Sequence, residues 1–520
     1  MTDAFYITTP IYYVNDNPHI GHAYTTIACD VVARFMRLDN RPVRFLTGTD
    51  EHGQKVEKSA QAAGLDPLAF CDRVSQRFRQ LAAALNISND DFIRTTEDRH
   101  LRSAQAIWQR MAEAGDIYLG SYSGWYAVRD EAFYAEDELT RDAAGAWIAP
   151  SGAPVEWVEE PSYFFRLSAW ADRLLAFYDA NPDFIAPDSR RNEVRSFVRG
   201  GLKDLSISRT SYRWGVPVPG DTDHVMYVWL DALTNYITAI GYPDTDDPLY
   251  RTFWPAQLHV IGKDILRFHT VYWPAFLMSA GLAPPKRVFA HGWWTNEGQK
   301  ISKSLGNVID PFELIDTFGL DQTRYFLMRE VPFGNDGDFS RRAMIMRING
   351  ELANGFGNLG LRTLSFIARH GGAAVPQPGA LTAPDEALLG QAQSCLAAMR
   401  ATMGRQAVHQ ALQHWNDLIG AANKYIDEQA PWSLRKTDPA RMATVLWVLA
   451  ETIRQAAILA QPFIPEAAGR QLDQLGVPPE ARDFAALGAG SALAGGSALP
   501  KPEGVFPRYE ASEAELGGQG

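Results

Sequence analysis

Two apolar runs separated by a helix-length interval set the tightest limit on what this chain can fold into. Residues 5–14, FYITTPIYYV, are β-branched and aromatic and read as a buried strand. Turn residues follow, and from Ile20 the apolar positions Ile20, Ala23, Ile27, Val31, Phe35 and Leu38 keep helical spacing. Residues 42–53, PVRFLTGTDEHG, read as a second strand and its loop. Strand, crossover helix and strand form one βαβ unit, the building block of a parallel sheet. The pattern returns with LHVIGKD at 258–264, a helical run over 265–280, and VFAHGWW at 288–294. The expected fold class is α/β, a doubly wound parallel sheet.

The texture changes twice along the 520 residues. Residues 116–222 are rich in aromatics, Gly, Pro and acidic side chains and read as an insertion within the sheet. From about 340, Leu, Ala, Gln and Arg at helical spacing predict a helix bundle. After 485 the run ALGAGSALAGGSALPKP predicts a flexible segment. The expected division is 1–115 with 223–339 for the sheet domain, 116–222 for the insertion, 340–485 for the bundle and 486–520 for the tail. Hydrophobic content of 46% and charged content of 21% are those of a globular protein. A net charge of −12 argues against nucleic acid binding over the whole surface but permits a local basic patch. No transmembrane run and no signal peptide are read in the chain. Three scattered cysteines, Cys29, Cys71 and Cys395, fit a reducing cytoplasm.

Two short motifs carry chemistry. His19-Ile20-Gly21-His22 opens the first helix, where unpaired N–H groups and the positive end of the helix dipole favour phosphate. Gly21 leaves room for a flat base against the backbone, and the two histidines share one face of the first turn. Against this stands the plain alternative of capping or core histidines. Lys300 and Lys303, in EGQKISKSLGN, are spaced to bring two ammonium groups to one triphosphate, although a solvated loop reads the same way.

Together, in this order on one doubly wound sheet, the motifs resemble the HIGH and KMSKS signatures of class I aminoacyl-tRNA synthetases. The resemblance implies a Rossmann-like catalytic domain with a connective insertion and a helical anticodon-binding domain. It implies that His19, Gly21, His22, Lys300, Ser302 and Lys303 bind ATP, and that His19, His22, Lys300 and Lys303 stabilise the adenylation transition state. ATP is expected as its Mg²⁺ complex. A carboxylate nucleophile is already ionised, so alignment and charge stabilisation suffice without a general base.

Further segments, including TTPIYYVNDNPHIGHAYT, FLTGTDEHGQK, YVWLDALTNY, HVIGKDILRFH, HGWW and NKYIDEQAPW, are similar to the methionyl-tRNA synthetase family. The resemblance places the methionine pocket at Ile11, Tyr13, Trp229, Ala232, Tyr236, Ile265 and His269, with Asp50 facing the substrate's ammonium. A thioether suits such an aromatic-lined pocket. Singly, each aromatic reads more simply as core. Leu233 stands where many relatives have Pro, a departure expected to affect only local pocket shape. Discrimination against homocysteine is expected to be weak, since one methyl is worth only about 1–3 kcal/mol. The insertion lacks the Cys-x-x-Cys knuckles of many relatives, and 118–160 has neither Cys nor His, so no structural zinc is expected. Trp125, Tyr126, Phe133 and Trp147 are expected to hold the insertion together by packing.

The resemblance also assigns the tRNA anticodon to Asn358, Arg362 and Trp432. Residues 341–370 carry five Arg against Glu351 alone, a local excess that suits phosphates. Planar groups then read splayed bases. The expected partners are L-methionine, ATP and initiator and elongator methionine tRNA. A cytoplasmic monomer with no membrane attachment is expected, the tail being too short for an added dimerisation module. Two other classes stay open on the residues: a small-molecule nucleotidyltransferase with the same His-x-x-His start, and a non-catalytic tRNA-binding protein. Another class I specificity, for leucine or valine, is disfavoured by the lack of a large editing insertion.

Overall fold

The computed structural model describes residues 4–14, 17–130, 132–301 and 306–510. The chain forms two compact units, one of Met1–Pro18, Arg44–Ala83 and Asn89–His291, the other of His19–Val43, Ala84–Ser88 and Gly292–Gly520.

The first unit is built on the expected parallel sheet. Its order runs Ile185–Ala186, Val288–His291, Leu258–Gly262, Phe5–Thr8 and Val43–Asp50, and both Tyr12–Tyr13 and Asp91–Arg94 pair with the last of these. All four residues of Phe5–Thr8 are buried, as expected of a parallel strand covered on both faces. Tyr6, Leu46, Ile93, Trp108 and Phe165 belong to one large apolar core.

The 116–222 stretch is only partly an insertion. Its own antiparallel sheet runs Leu205–Ser206, Glu156–Phe165, Ile117–Ala127, Ala132–Tyr134. Between the last two members of the chain order lies a helix pair, Ala171–Ala180 and Asp188–Arg199, and between these helices Ile185–Ala186 joins the main sheet beside Val288–Phe289. A two-residue strand is too short to show a period of two, which is why it was hidden in the sequence.

The expected aromatics do pack together. Phe133 lies 3.8 Å from Tyr122 and 4.7 Å from Tyr126, and Trp125 lies 6.2 Å from Trp147, ring centre to ring centre. Arg209, only 1% exposed, places its guanidinium 4.4 Å from the ring of Phe133 and 4.7 Å from that of Tyr227. A buried cation on aromatic faces ties this sheet down.

In the second unit the helix Ile20–Leu38 buries Ile20, Ala23, Ile27, Val31 and Phe35, the predicted stripe. Its Asp30 is fully buried and receives Arg324 at 2.7 Å. Arg324 also donates to the carbonyls of Leu85 at 2.9 Å, Pro462 at 2.9 Å and Phe463 at 3.3 Å. One guanidinium fork thus joins four stretches of chain. Burial pushes the Asp30 carboxyl up, but Arg324, Arg34 and Ser88 outweigh it and hold it below its usual range.

The bundle includes Ala383–Met403, Val408–Gln429 and Pro439–Ala460. By length and composition Pro439–Ala460 would suffice to cross a membrane, but 89% of its most apolar stretch is buried inside the protein. Glu451 and Arg454 lie on it as a buried bidentate pair at 2.6 and 2.9 Å.

This pair also corrects the reading of the tail. Arg454 donates to the carbonyl of Ala486 at 2.8 Å, and Glu451 accepts from the N–H of Leu493 at 3.0 Å. Trp447 donates to the Leu493 carbonyl at 2.9 Å, and Val505 and Phe506 are buried. The stretch 486–510 is therefore anchored at several points, although more than half of its residues are exposed. Its Gly- and Ala-rich sequence hid this because its anchors are mostly backbone groups.

Candidate active site

His19 caps the first helix with extended backbone, φ −134° and ψ 178°. Its Nδ1 accepts from the Gly21 N–H at 3.1 Å, and Nδ1 of His22 accepts from the His19 N–H at 3.1 Å. This reciprocal box satisfies two of the donors that a helix start leaves open. It also sets the tautomer: with Nδ1 accepting on both rings, each neutral imidazole carries its proton on Nε2. The rings lie 3.9 Å apart, and burial, with His19 alongside, holds His22 well below the usual histidine range. A Cβ on Gly21 would come within 2.9 Å of Cε1 of His19, so glycine is what lets the His19 ring lie over the first turn.

The second motif is tied to the first within the same unit. The Ile20 N–H donates to the Ile309 carbonyl at 3.2 Å, just beyond the lysine-bearing loop. That loop leaves a hairpin in which Thr295 faces exposed Lys300, turning at Glu297 (φ 47°) and Gly298 (φ 76°). Asn307 donates to the Lys300 carbonyl at 3.1 Å, and Asn296 to the Asn307 carbonyl at 2.9 Å, closing the loop's base. Ser302 and Lys303 lie outside the described residues.

The expected pocket residues fall in the first unit. Tyr13 and Asp50 are register partners on adjacent strands, and Asp50 is buried. Trp229, Ala232 and Tyr236 lie along the helix Val228–Thr238, as their spacing predicted. Ile11, Tyr13, Trp229 and Ile265 are half-buried and pack on the same core as Tyr236, while Leu233 is part of that core. Tyr236 and His269, both 1% exposed, bond at 2.6 Å through the phenol and Nε2. Nδ1 of His269 lies 3.0 Å from the Ile265 carbonyl, which can only accept. Nδ1 therefore bears the proton, and Tyr236 donates to Nε2. Burial lowers His269 to about 4, so it stays neutral. Trp229 stacks on Phe268 at 3.8 Å, with the planes 6° apart.

The segment around His269 is not the regular helix expected. Lys263–Ile265 is a 3₁₀ turn, Phe268–Tyr272 is π-helical, and only Trp273–Ser279 is α-helical. Pro274 has no N–H to give the Thr270 carbonyl, and the buried Tyr178 hydroxyl supplies that bond at 2.6 Å. Such π-turns recur at functional sites.

A buried network around Asp231, on the same helix Val228–Thr238, was missed from sequence. Asp231 accepts from His52 and from His100, each at 2.6 Å. Burial raises its carboxyl, but the two imidazoles prevail and it falls to about 2. The neighbouring Glu51 accepts from Thr49 at 2.7 Å, Arg94 at 2.7 Å and Thr96 at 2.6 Å. The available signal was a single carboxylate inside the apolar run of residues 228–237, which must be paired if buried.

On the second unit, the Arg362 guanidinium lies 4.9 Å from the ring of Trp432 and donates to Asp427 at 2.6 Å. Trp432 is 43% exposed and Asn358 is exposed on the helix it shares with Arg362. The basic excess around them is smaller than counted, because Arg347 is held by Glu330 at 2.9 Å and Glu351 at 2.6 Å. Among the described residues no group of three or more His, Cys, Asp or Glu is placed to hold a metal ion.

Comparison with known proteins fits this geometry. Residues 5–364 match the family model "tRNA synthetases class I (M)", and residues 375–516 match "Anticodon binding domain of methionyl tRNA ligase". The methionine–tRNA ligase of Mesorhizobium japonicum is 59% identical over 507 residues, 98% of each chain. That of Rickettsia bellii is 57% identical over 98% of this chain and 100% of its own. The structure of Mycobacterium tuberculosis methionyl-tRNA synthetase in complex with methionyl-adenylate superposes with a TM-score of 0.95 at 55% identity, covering 98% of this chain and 100% of that one. With both family models matched in order and full-length relatives at this identity, the chain belongs to the methionyl-tRNA synthetase family of class I.

Proposed function

We infer that this protein ligates L-methionine to its cognate tRNA in two steps, through methionyl-adenylate. The methionine carboxylate attacks the α-phosphorus of ATP and pyrophosphate leaves. The 2′-hydroxyl of the terminal adenosine then attacks the adenylate's carbonyl, and AMP leaves. The observation that carries this is the intact His19–Gly21–His22 helix start in a chain 59% identical to a methionine–tRNA ligase over 98% of its length.

His19 and His22 present Nε2–H donors to the phosphates, with Gly21 under the base. Lys300 and Lys303 neutralise the leaving pyrophosphate, Ser302 binds ATP through its hydroxyl, and ATP enters as its magnesium complex. A donor aimed at developing charge is worth roughly 3 kcal/mol. Asp50 receives the substrate ammonium, while Ile11, Tyr13, Trp229, Ala232, Tyr236, Ile265 and His269 enclose the thioether. Asn358, Arg362 and Trp432 read the anticodon of initiator and elongator methionine tRNA. The protein works as a cytoplasmic monomer without structural zinc and without a membrane.

ATP–pyrophosphate exchange across all twenty amino acids, with Mg²⁺ and no zinc, tests the reading. Exchange with methionine alone is expected. Exchange with another amino acid would discard the specificity, and none at all would discard the enzyme.

A further inference from the structure

The helix Asp188–Arg199 and the four residues after it carry an excess of positive charge on an acidic protein. Over residues 188–203 five cations (Arg190, Arg191, Arg195, Arg199 and Lys203) face two carboxylates (Asp188 and Glu193), while the whole chain is −12. The structure divides these cations into two sets. Arg190 pairs with Glu193 at 2.9 Å, Arg191 with Asp188 at 3.3 Å and Arg195 with Asp179 at 2.7 Å. Arg199 and Lys203 are exposed and have no ion-pair partner among the described residues.

A third exposed cation joins them from another part of the chain. Helix Asp188–Arg199 packs against the π-turn Phe268–Tyr272. Arg267, just before that turn, lays its guanidinium 4.2 Å from the ring of half-buried Phe197. Arg267 sits between Ile265 and His269, two of the pocket residues, yet its own side chain is exposed. Arg267, two residues from both Ile265 and His269 in the chain, thus meets the end of the helix that carries Arg199, and none of these cations has an acidic partner among the described residues.

We propose that Arg199, Lys203 and Arg267, with the ring of Phe197, receive the sugar–phosphate backbone of the tRNA's acceptor strand beside the pocket. The proposal rests on the tRNA-charging reading above. The acceptor hydroxyl must reach the methionyl carbonyl, so the last phosphates of the strand pass close to the pocket mouth. Unpaired cations neutralise such phosphates, and a guanidinium on an aromatic ring offers a stacking face tolerant of any base. The ion-paired arginines on the same helix are already neutralised and contribute little.

The test compares R199A/K203A, the triple variant adding R267A, and the control R190A in the full-length protein. Methionine-dependent ATP–pyrophosphate exchange should be unchanged in all of them. For aminoacylation, the double variant should lower kcat/KM for tRNA about tenfold, the triple variant further. The slope of log kcat/KM against log salt should fall by about 0.7 for each cation removed. R190A should behave as wild type. A rise in KM for ATP in the exchange reaction would assign the patch to the nucleotide and overturn the proposal. An unaltered tRNA kcat/KM and salt slope in the double and triple variants would overturn it equally. Failure of the wild-type protein to activate methionine would instead remove the reading on which the proposal rests.

Discussion

The hydroxyl of Tyr236 donates to Nε2 of His269 at 2.6 Å, and the same imidazole donates from Nδ1 to the Ile265 carbonyl. Both ring nitrogens are thereby committed, and the pair stands as a rigid wall with a fixed tautomer. Tyr236→Phe removes the donor and leaves a buried acceptor unsatisfied, at a cost of about 1–3 kcal/mol. The expected outcome is a KM for methionine raised about 5- to 100-fold in the exchange assay, with KM for ATP unchanged.

The same imidazole makes stability depend on pH. His269 titrates at about 4 in the fold against an ordinary value of 6.5. Its contribution is complete above 6.5 and is lost as pH falls toward 4, because the unfolded chain takes up a proton that the folded chain refuses. Melting temperature should fall over that window, and His269→Gln should flatten the fall. An equally steep profile in the variant would place the titration elsewhere.

Gly21→Ala should disable adenylation without unfolding the protein. The new Cβ meets Cε1 of His19 at 2.9 Å and pushes the ring out of its cap. Misplacing one such donor typically costs about 10²- to 10³-fold in kcat. Single-turnover formation of methionyl-adenylate measures this directly, with circular dichroism as the control for folding.

Arg324→Met tests the buried fork. It leaves Asp30, 0% exposed, without its principal cation and strands three carbonyl groups. Removing one partner of a buried pair costs about 3–5 kcal/mol. Urea denaturation should show a lower midpoint. Restoration by the second change Asp30→Leu would show that the unpaired carboxylate causes the loss.

Trp432→Ala removes an exposed ring on which Arg362 rests and should separate the two reactions. Methionine activation is expected at wild-type rate, with kcat/KM for tRNA reduced about 100-fold. Equal loss in both assays would indicate a folding defect.

What residue order alone determined was local or repetitive. The buried stripe of Ile20–Leu38 and the helix Val228–Thr238 follow from side-chain periodicity, whereas the β-branched and aromatic run 5–14 was read as one strand and forms two, Phe5–Thr8 and Tyr12–Tyr13. The His19 cap was legible because a helix start is satisfied within a few residues of itself. Tertiary structure decided the rest. Ile185–Ala186 becomes a strand only because Val288–Phe289 offers it a ladder. His100 and His52 acquire their role only where folding brings them to Asp231, 131 and 179 residues away. The π-turn depends on a hydroxyl from Tyr178, 92 residues upstream of Thr270. Ala486 and Leu493 are anchored because Arg454 and Glu451 bind their backbone groups, and backbone groups leave no trace in a sequence pattern. Periodicity encodes which face is buried, whereas polar partnership across long chain separations exists only once the chain has closed on itself.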